Sequence, residues 1–125
     1  MDKGQVENGL GDKIGIYSAA RNISWAELRR EASRIAYVLV EDMALVPGNR
    51  VLLHGYNSIE LIASWYGVIL AGGVAVMTMP MLRAGEIAKV IAKGQVSHAL
   101  CDAALAPAVH EAAALEPVLD RIISW

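Results

Sequence analysis

The sequence predicts an α/β fold, a parallel β-sheet built from βαβ units with helices on both faces. Two observations predict it. Short apolar segments that favour strands alternate with helical segments along the chain. Several of these segments are continuously apolar, which is typical of parallel strands covered on both faces. The 125 residues fit one domain, which we assign to residues 13–125 after a flexible N-terminus of residues 1–12.

The predicted elements are separated by turn and capping signals. In order they are strand 13–18, a turn at 19–22, helix 24–44, turn 46–49, strand 51–54, helix 58–71, strand 74–78, helix 86–93, strand 96–101, helix 102–114 and strand 121–125. Pro107 either kinks the last helix or marks its first turn.

Four capping signals predict the helix ends. Ser24 and Glu27 have the spacing of a capping box, so the first helix should begin there. Asn57 is the expected N-cap of the second helix. Gly72 is expected to take the left-handed conformation after that helix, and Gly94 is expected to stop the third.

Residues 61–82 carry no charge and are long enough to cross a bilayer. We do not assign a membrane span, because Gly72 and Gly73 interrupt the run and Pro80 lies near its end. Trp65 and Tyr66 also lie inside it, whereas interfacial aromatic residues flank a span. The pattern instead predicts a buried helix followed by a buried parallel strand.

The composition is strongly hydrophobic for a domain of this size. Hydrophobic residues make up 55% and charged residues 19%, with a mean hydropathy of +0.39. A small domain leaves much of its surface exposed to water. The chain is therefore expected to be part of a larger protein, or alternatively to carry a large oligomer interface. On its own it should self-associate through exposed apolar surface.

Charge and cysteine content narrow the function classes. The net charge of −2 gives no basic surface for nucleic acid. The only cysteine, Cys101, has no disulfide partner, and the polar N-terminus lacks the apolar core of a signal peptide. We therefore expect a cytoplasmic protein.

Ligands of parallel sheets bind at the carboxyl ends of the strands. Those ends are predicted at residues 54–56, 78–80 and 101–102. Arg83, in the loop after a strand end, is the residue best placed to meet an anion.

Other chemistry-bearing residues form no convincing set. The histidines, His54, His98 and His110, lack metal-ligand spacing, and Cys101 has no partner cysteine. Met77, Met79 and Met81 are expected to pack rather than bind a cofactor. The residues alone thus predict a domain without a self-contained active site, and no metal site.

Five segments in register resemble the N-terminal region of adenylate-forming acyl/aryl-CoA synthetases, the AMP-binding enzyme superfamily. They are Ser-Trp-Ala-Glu-Leu at 24–28, Pro-Gly-Asn-Arg-Val at 47–51, Asn-Ser-Ile-Glu at 57–60, Gly-Val-Ile-Leu-Ala-Gly-Gly-Val at 67–74, and the segment with Pro80, Leu82 and Glu86. Asn49 and Met79 depart from the family pattern. The details look most like benzoate- and 2-aminobenzoate-CoA ligases.

The resemblance implies a parent enzyme that uses ATP, Mg²⁺ and CoA to convert an aromatic carboxylate into its CoA thioester, AMP and pyrophosphate. The family's phosphate-binding loop and catalytic residues follow the region present here, so no catalytic residue can be assigned. This chain is expected to be an inactive scaffold that binds no cofactor alone and contacts the remaining domains of the enzyme. Arg83 is the candidate contact for a CoA phosphate.

Two alternatives remain open. The same region occurs in medium-chain acyl-CoA synthetases and in other adenylating enzymes such as peptide-synthetase adenylation domains. A different class is a free-standing flavodoxin-like interaction or receiver module. A receiver requires clustered acidic residues at the strand ends, where only Asp102 is found.

Overall fold

The computed structural model describes residues 14–17 and 22–125, so the terminus of residues 1–12 and most of the turn at 19–22 lie outside the described residues. The strands are β1 (Ile14–Tyr17), β2 (Asn22–Ser24), β3 (Arg50–His54), β4 (Val74–Thr78), β5 (His98–Cys101) and β6 (Arg121–Ser124). The helices are α1 (Trp25–Tyr37), α2 (Ile59–Leu70), α3 (Ala84–Gly94) and α4 (Ala106–Leu115).

Four of the strands form one parallel sheet with the order β4-β3-β5-β6. β3 is paired with β4 on one side and β5 on the other, and the pairs run without a bulge from Arg50↔Val74 to His54↔Thr78. β1 and β2 form a separate antiparallel pair that sequence reasoning missed, because β2 has only three residues. The predicted α/β class with a parallel sheet is confirmed.

Helices cover both faces of the sheet, as predicted. Alternating residues of β3 separate the two layers, with Val51 and Leu53 in one core cluster and Leu52 in the other. The first cluster includes residues from α1, from the segment Val38–Asp42 that continues it and from α2, and the second includes residues from α3 and α4.

The first helix begins at the predicted capping box. The Ser24 hydroxyl accepts a hydrogen bond from the Glu27 amide at 3.1 Å, and this hydroxyl lies 3.2 Å from the Glu27 carboxylate. α1 continues as a π-helical segment, Val38–Asp42, that buries Leu39. The helical path therefore ends close to the predicted residue 44.

The second helix is capped one residue later than predicted. Ser58 is the N-cap, and its side chain accepts from the Leu61 amide at 3.1 Å. Asn57 lies outside the helix, so its assignment as the cap was wrong. At the other end Gly72 has φ +84°, which confirms the predicted left-handed position.

Backbone hydrogen bonds join the turns at the amino ends of β3 and β4. The Gly48 amide donates to the Gly72 carbonyl, and the Val74 amide donates to the Asn49 carbonyl, each at 2.9 Å. Both glycines have positive φ. The two strands therefore enter the sheet in a fixed register.

Several boundaries in the C-terminal half differ from the predictions, and β5 begins at His98, two residues later than predicted. α3 begins at Ala84, two residues early, and Gln95 rather than Gly94 takes the left-handed position at its end. Asp102 caps a short 3₁₀ turn, Ala103–Leu105, rather than the long helix. α4 follows with Pro107 in its first turn, which decides between the two predicted roles of this proline.

The prediction that the second helix and its strand are buried all round was wrong. One side of α2 and the adjacent strand β4 are exposed, because within the described residues β4 is the edge of the sheet and no further element packs there. We call this the α2–β4 surface: Ile62, Trp65, Ile69, Leu70, Val74 and Met77. Met77, Met79 and Met81 are 55%, 57% and 76% exposed, so their predicted packing is not found.

The uncharged run at residues 61–82 is divided between α2 and β4, as predicted. Within the described residues, no helix has the length and apolarity needed to cross a membrane.

Candidate functional site

The carboxyl ends of the four parallel strands meet at one edge of the sheet. Thr78, His54, Cys101 and Ser124 occupy adjacent register positions along this edge. The structure thus brings together the strand ends that the sequence marked as the expected place for ligands.

His54 is the buried polar residue of this edge. Its side chain is 0% exposed, and its Nδ1 atom lies 2.6 Å from the Thr78 hydroxyl oxygen. Its Nε2 atom is buried without a hydrogen-bond partner in the described part of the chain. Burial lowers the pKa of the imidazole below its usual 6.5, so His54 is neutral at pH 7.

Cys101 lies beside His54 in the register and is fully buried. Burial and the negative charge of Asp102 raise the pKa of its thiol to about 11. A thiol with this pKa is protonated at neutral pH and is a poor nucleophile.

The segment after β5 is tied back to the edge by main-chain hydrogen bonds. The Asp102 amide donates to the His54 carbonyl at 3.0 Å, and the Asp102 carboxylate accepts from the Ala104 amide at 2.9 Å. The amide of Ala103 donates to the Trp125 carbonyl at 2.9 Å. The indole ring of Trp125 lies against Gly55, where it leaves no space for a side chain.

Arg83 is the N-cap residue of α3 and its side chain is exposed. Its backbone amide donates to the Glu86 carboxylate at 3.0 Å, which fixes the position of the backbone. Arg83 thus lies at the start of a helix, at the end of the loop that follows β4. A phosphate in this place would meet a positive charge and the positive end of a helix dipole.

The other two histidines do not belong to this row of strand ends. His98 lies at the opposite end of β5 from Cys101 and is held by the Met43 carbonyl at 2.7 Å and the Ser97 hydroxyl at 2.6 Å. His110 is exposed on α4. Among the described residues no group of three or more His, Cys, Asp or Glu side chains could hold a metal ion.

The pairing of His54 with Thr78 is the feature that sequence reasoning missed. Both residues had been assigned to strand ends, but their contact depends on which strands are neighbours. The available signal was that each ends an apolar strand with a polar side chain. Two parallel strands joined by one βαβ unit often lie side by side, so such a pair can meet.

The family to which the chain belongs follows from its match to a protein-family profile. The profile of the AMP-binding enzyme family matches residues 5–124. The chain belongs to the AMP-binding enzyme family.

Two curated proteins illustrate what this chain is similar to. Triostin synthetase I of Streptomyces triostinicus is 29% identical over 92 residues, which cover 73% of this chain and 17% of that protein. The salicyl-AMP ligase/salicyl-S-ArCP synthetase of Mycobacterium tuberculosis H37Rv is 35% identical over 65 residues, which cover 52% of this chain and 11% of that protein.

Solved structures show the same fold over most of this chain. The anthranilate CoA ligase AuaEII, in complex with anthranoyl-AMP, gives a TM-score of 0.88 at 18% identity, covering 98% of this chain and 24% of that chain. The benzoate CoA ligase of Burkholderia xenovorans LB400 gives 0.85 at 20% identity, with 97% and 24% covered. ATP-bound MatB from Rhodopseudomonas palustris gives 0.80 at 28% identity, with 90% and 22% covered.

Two conclusions follow. The predicted fold, that of the N-terminal subdomain of acyl-CoA synthetases, is confirmed. The chain spans less than a fifth of the length of these two relatives and less than a quarter of each of these three solved chains.

Proposed function

We propose that this chain is the N-terminal scaffold of an ATP-dependent, AMP-forming aryl-CoA ligase that acts on benzoate or 2-aminobenzoate. The observation that carries the proposal is the AMP-binding family match over residues 5–124. Support for the aryl-CoA assignment comes from the likeness of nearly the whole chain to an anthranilate and a benzoate CoA ligase.

The scaffold role is supported by the chemistry of the described residues. The His54 imidazole and the Cys101 thiol at the carboxyl edge are both fully buried, so neither is placed to reach a substrate, and the thiol is protonated at neutral pH. In this proposal ATP, Mg²⁺ and the aromatic carboxylate bind chiefly to the remaining domains of the enzyme.

Arg83 is the one position where we propose contact with a cofactor. Its exposed guanidinium follows β4 at the edge of the sheet where ligands bind, and it can pair with a phosphate of CoA. In the complete enzyme, Arg83→Gln should raise the KM for CoA and leave adenylate formation unchanged, whereas Lys89→Gln, a charge removed further along the same helix, should change neither.

The α2–β4 surface is the proposed contact with the remaining domains. It combines exposed apolar side chains with a groove of about 280 Å³ between α2 and β4, lined in part by Ile62, Trp65 and Met77. Contiguous apolar surface of this kind marks an interaction site. The isolated chain should therefore self-associate through it.

Light scattering tests this proposal. Trp65→Gln should shift the isolated chain towards monomer, whereas Tyr37→Gln, which changes an exposed aromatic residue outside the surface, should not. A monomer for the unmodified chain at high concentration would contradict the proposed role of the surface.

Adenylation assays test the function itself. The isolated chain should catalyse no ATP–pyrophosphate exchange with benzoate or 2-aminobenzoate, while the complete polypeptide should do so with one of them. Exchange by the 125 residues alone would refute the scaffold role. Exchange by the complete polypeptide only with aliphatic acids would refute the aryl assignment.

A second candidate function is adenylation for transfer to a carrier protein rather than to CoA. It is favoured by the 35% identity over 65 residues with a protein described as a salicyl-S-ArCP synthetase. The acceptor decides between the two. Formation of aryl-CoA from free CoA supports the ligase, and acylation only of a phosphopantetheinyl carrier domain supports the alternative.

A further inference from the structure

His54 and Thr78 form a polar pair at the carboxyl ends of β3 and β4. The two residues are the last register pair between β3 and β4, so the main-chain ladder ends with them. Beyond Thr78 the chain enters the loop of residues 79–83, which leads to Arg83. A side-chain hydrogen bond at this point is therefore the last tie before the loop.

The side chains of this pair lie on the face of the sheet covered by α3 and α4. His54 is two residues beyond Leu52, whose side chain belongs to the core cluster on that face, and strand side chains repeat every second residue. Thr78 is likewise two residues beyond Val76, which packs against the same cluster. The loop leads directly into α3, so the pair lies at the base of the connection.

The hydrogen-bond geometry favours one tautomer of the imidazole. The Thr78 hydroxyl can donate to the Leu53 carbonyl at 3.4 Å, and its oxygen lies 2.6 Å from His54 Nδ1. If the hydroxyl donates to Leu53, Nδ1 carries the ring hydrogen and Nε2 is left as an unpaired acceptor. The opposite assignment would bury an Nε2–H group without an acceptor, and orphaned buried N–H groups are rarer than under-satisfied acceptors.

We propose that His54 is a positioning residue that, as the Nδ1–H tautomer, ties the end of β4 through Thr78 to β3 and so holds the loop carrying Arg83. The hydrogen-bond chain runs from the His54 ring to the Thr78 hydroxyl and on to the Leu53 carbonyl. The consequence for CoA binding depends on the proposed function of Arg83, but the structural role does not.

Nitrogen NMR of the ring tests the tautomer in the 125-residue chain. At pH 7.5 the long-range ¹H–¹⁵N spectrum should show a protonated Nδ1 and an unprotonated Nε2 for His54. A protonated Nε2 would overturn the proposal whatever the behaviour of any variant.

Hydrogen exchange tests the tie to the loop. The amides of Leu82 and Arg83 are bonded to the Met79 carbonyl and the Glu86 carboxylate, so they report on the order of the loop. Thr78→Val keeps the size and β-branching of the side chain and removes the hydroxyl. It should speed exchange at both amides by about two- to twelvefold, the range expected for one neutral hydrogen bond.

Thr78→Ser is the matched control, because it retains the hydroxyl and should keep exchange at these amides close to that of the unmodified chain. Unchanged exchange in Thr78→Val, or equal acceleration in both variants, would overturn the proposal. If Thr78→Val does not fold, the ring spectrum of the unmodified chain remains decisive. Failure of the CoA assignment would leave all these results unchanged, and failure of the tie would leave the adenylation assays unchanged.

Discussion

The contact between α1 and α2 depends on the absence of a side chain at Gly67. A Cβ at this position would lie 2.6 and 2.8 Å from the Ile35 side chain and 3.0 Å from the backbone carbonyl of Ala32. These distances are too short for carbon and oxygen atoms in contact. Because one of the atoms belongs to the backbone of α1, the contact cannot be relieved by side-chain rotation alone.

The substitution Gly67→Ala sets two opposing effects against each other. Alanine in a helix is favoured over glycine by about 1 kcal/mol. Overpacking in a close helix contact costs about 1–3 kcal/mol, and the backbone contact places this site in the upper part of that range. We therefore expect Gly67→Ala to lower the free energy of unfolding by about 1–2 kcal/mol, or Tm by about 4–8 °C.

Gly85→Ala provides the matched control. Gly85 lies in the first turn of α3, and a Cβ there meets no atom within 4 Å. This substitution should be neutral or stabilising by up to about 1 kcal/mol. Urea unfolding followed by tryptophan fluorescence, at concentrations where the chain is monomeric, measures both. Equal or greater stability of Gly67→Ala relative to Gly85→Ala would refute the packing argument.

Three further predictions concern individual side chains. Ser58→Ala should cost about 1 kcal/mol of stability by removing the cap of α2, whereas Asn57→Ala should change it by less than about 0.5 kcal/mol; equal losses in urea unfolding would contradict the assigned cap. Cys101 should resist a thiol reagent at pH 7 and react as soon as urea unfolds the chain, since its thiol is buried with a pKa of about 11; rapid labelling of the folded chain would contradict this environment. Folding lowers the pKa of His54 below 6.5, so below this pH the His54 imidazole binds a proton more readily in the unfolded chain than in the folded chain. The free energy of unfolding should therefore fall as the pH drops below 6.5. The difference in free energy of unfolding between the unmodified chain and His54→Gln, measured by urea unfolding, should therefore decrease as the pH is lowered from 7.5 to 5.5. A difference that does not depend on pH would contradict the lowered pKa of His54.

The order and type of the main elements could be predicted because local signals agreed with the fold. The capping box at Ser24, the turn before β3 and the left-handed glycine after α2 act within a few residues, so the sequence alone contains them. The short strand β2 escaped prediction because three residues carry too little pattern. The cap at Ser58 was missed since Asn57 is an equally good capping residue, and only the backbone geometry selects between them.

Exposure and the polar contacts at the carboxyl edge could not be predicted in the same way. An apolar sequence shows that a segment needs a partner, but not whether the partner lies within these 125 residues. Trp65 and Met77 were expected to be buried and are exposed in the described part of the chain. The contact between His54 and Thr78 depends on β3 and β4 being neighbours, which is a property of the sheet order and not of either segment.

The turns that precede β3 and β4 are joined by hydrogen bonds between main-chain atoms, at the edge of the sheet opposite to the candidate site. The amide of Gly48 and the carbonyl of Gly72 fix the alignment of the strands at the amino edge through main-chain atoms. The strand alignment is thus independent of side-chain identity at the opposite edge. Substitutions at positions 54 and 78 should therefore loosen the end of β4 and the loop after it without shifting the register of β4 against β3.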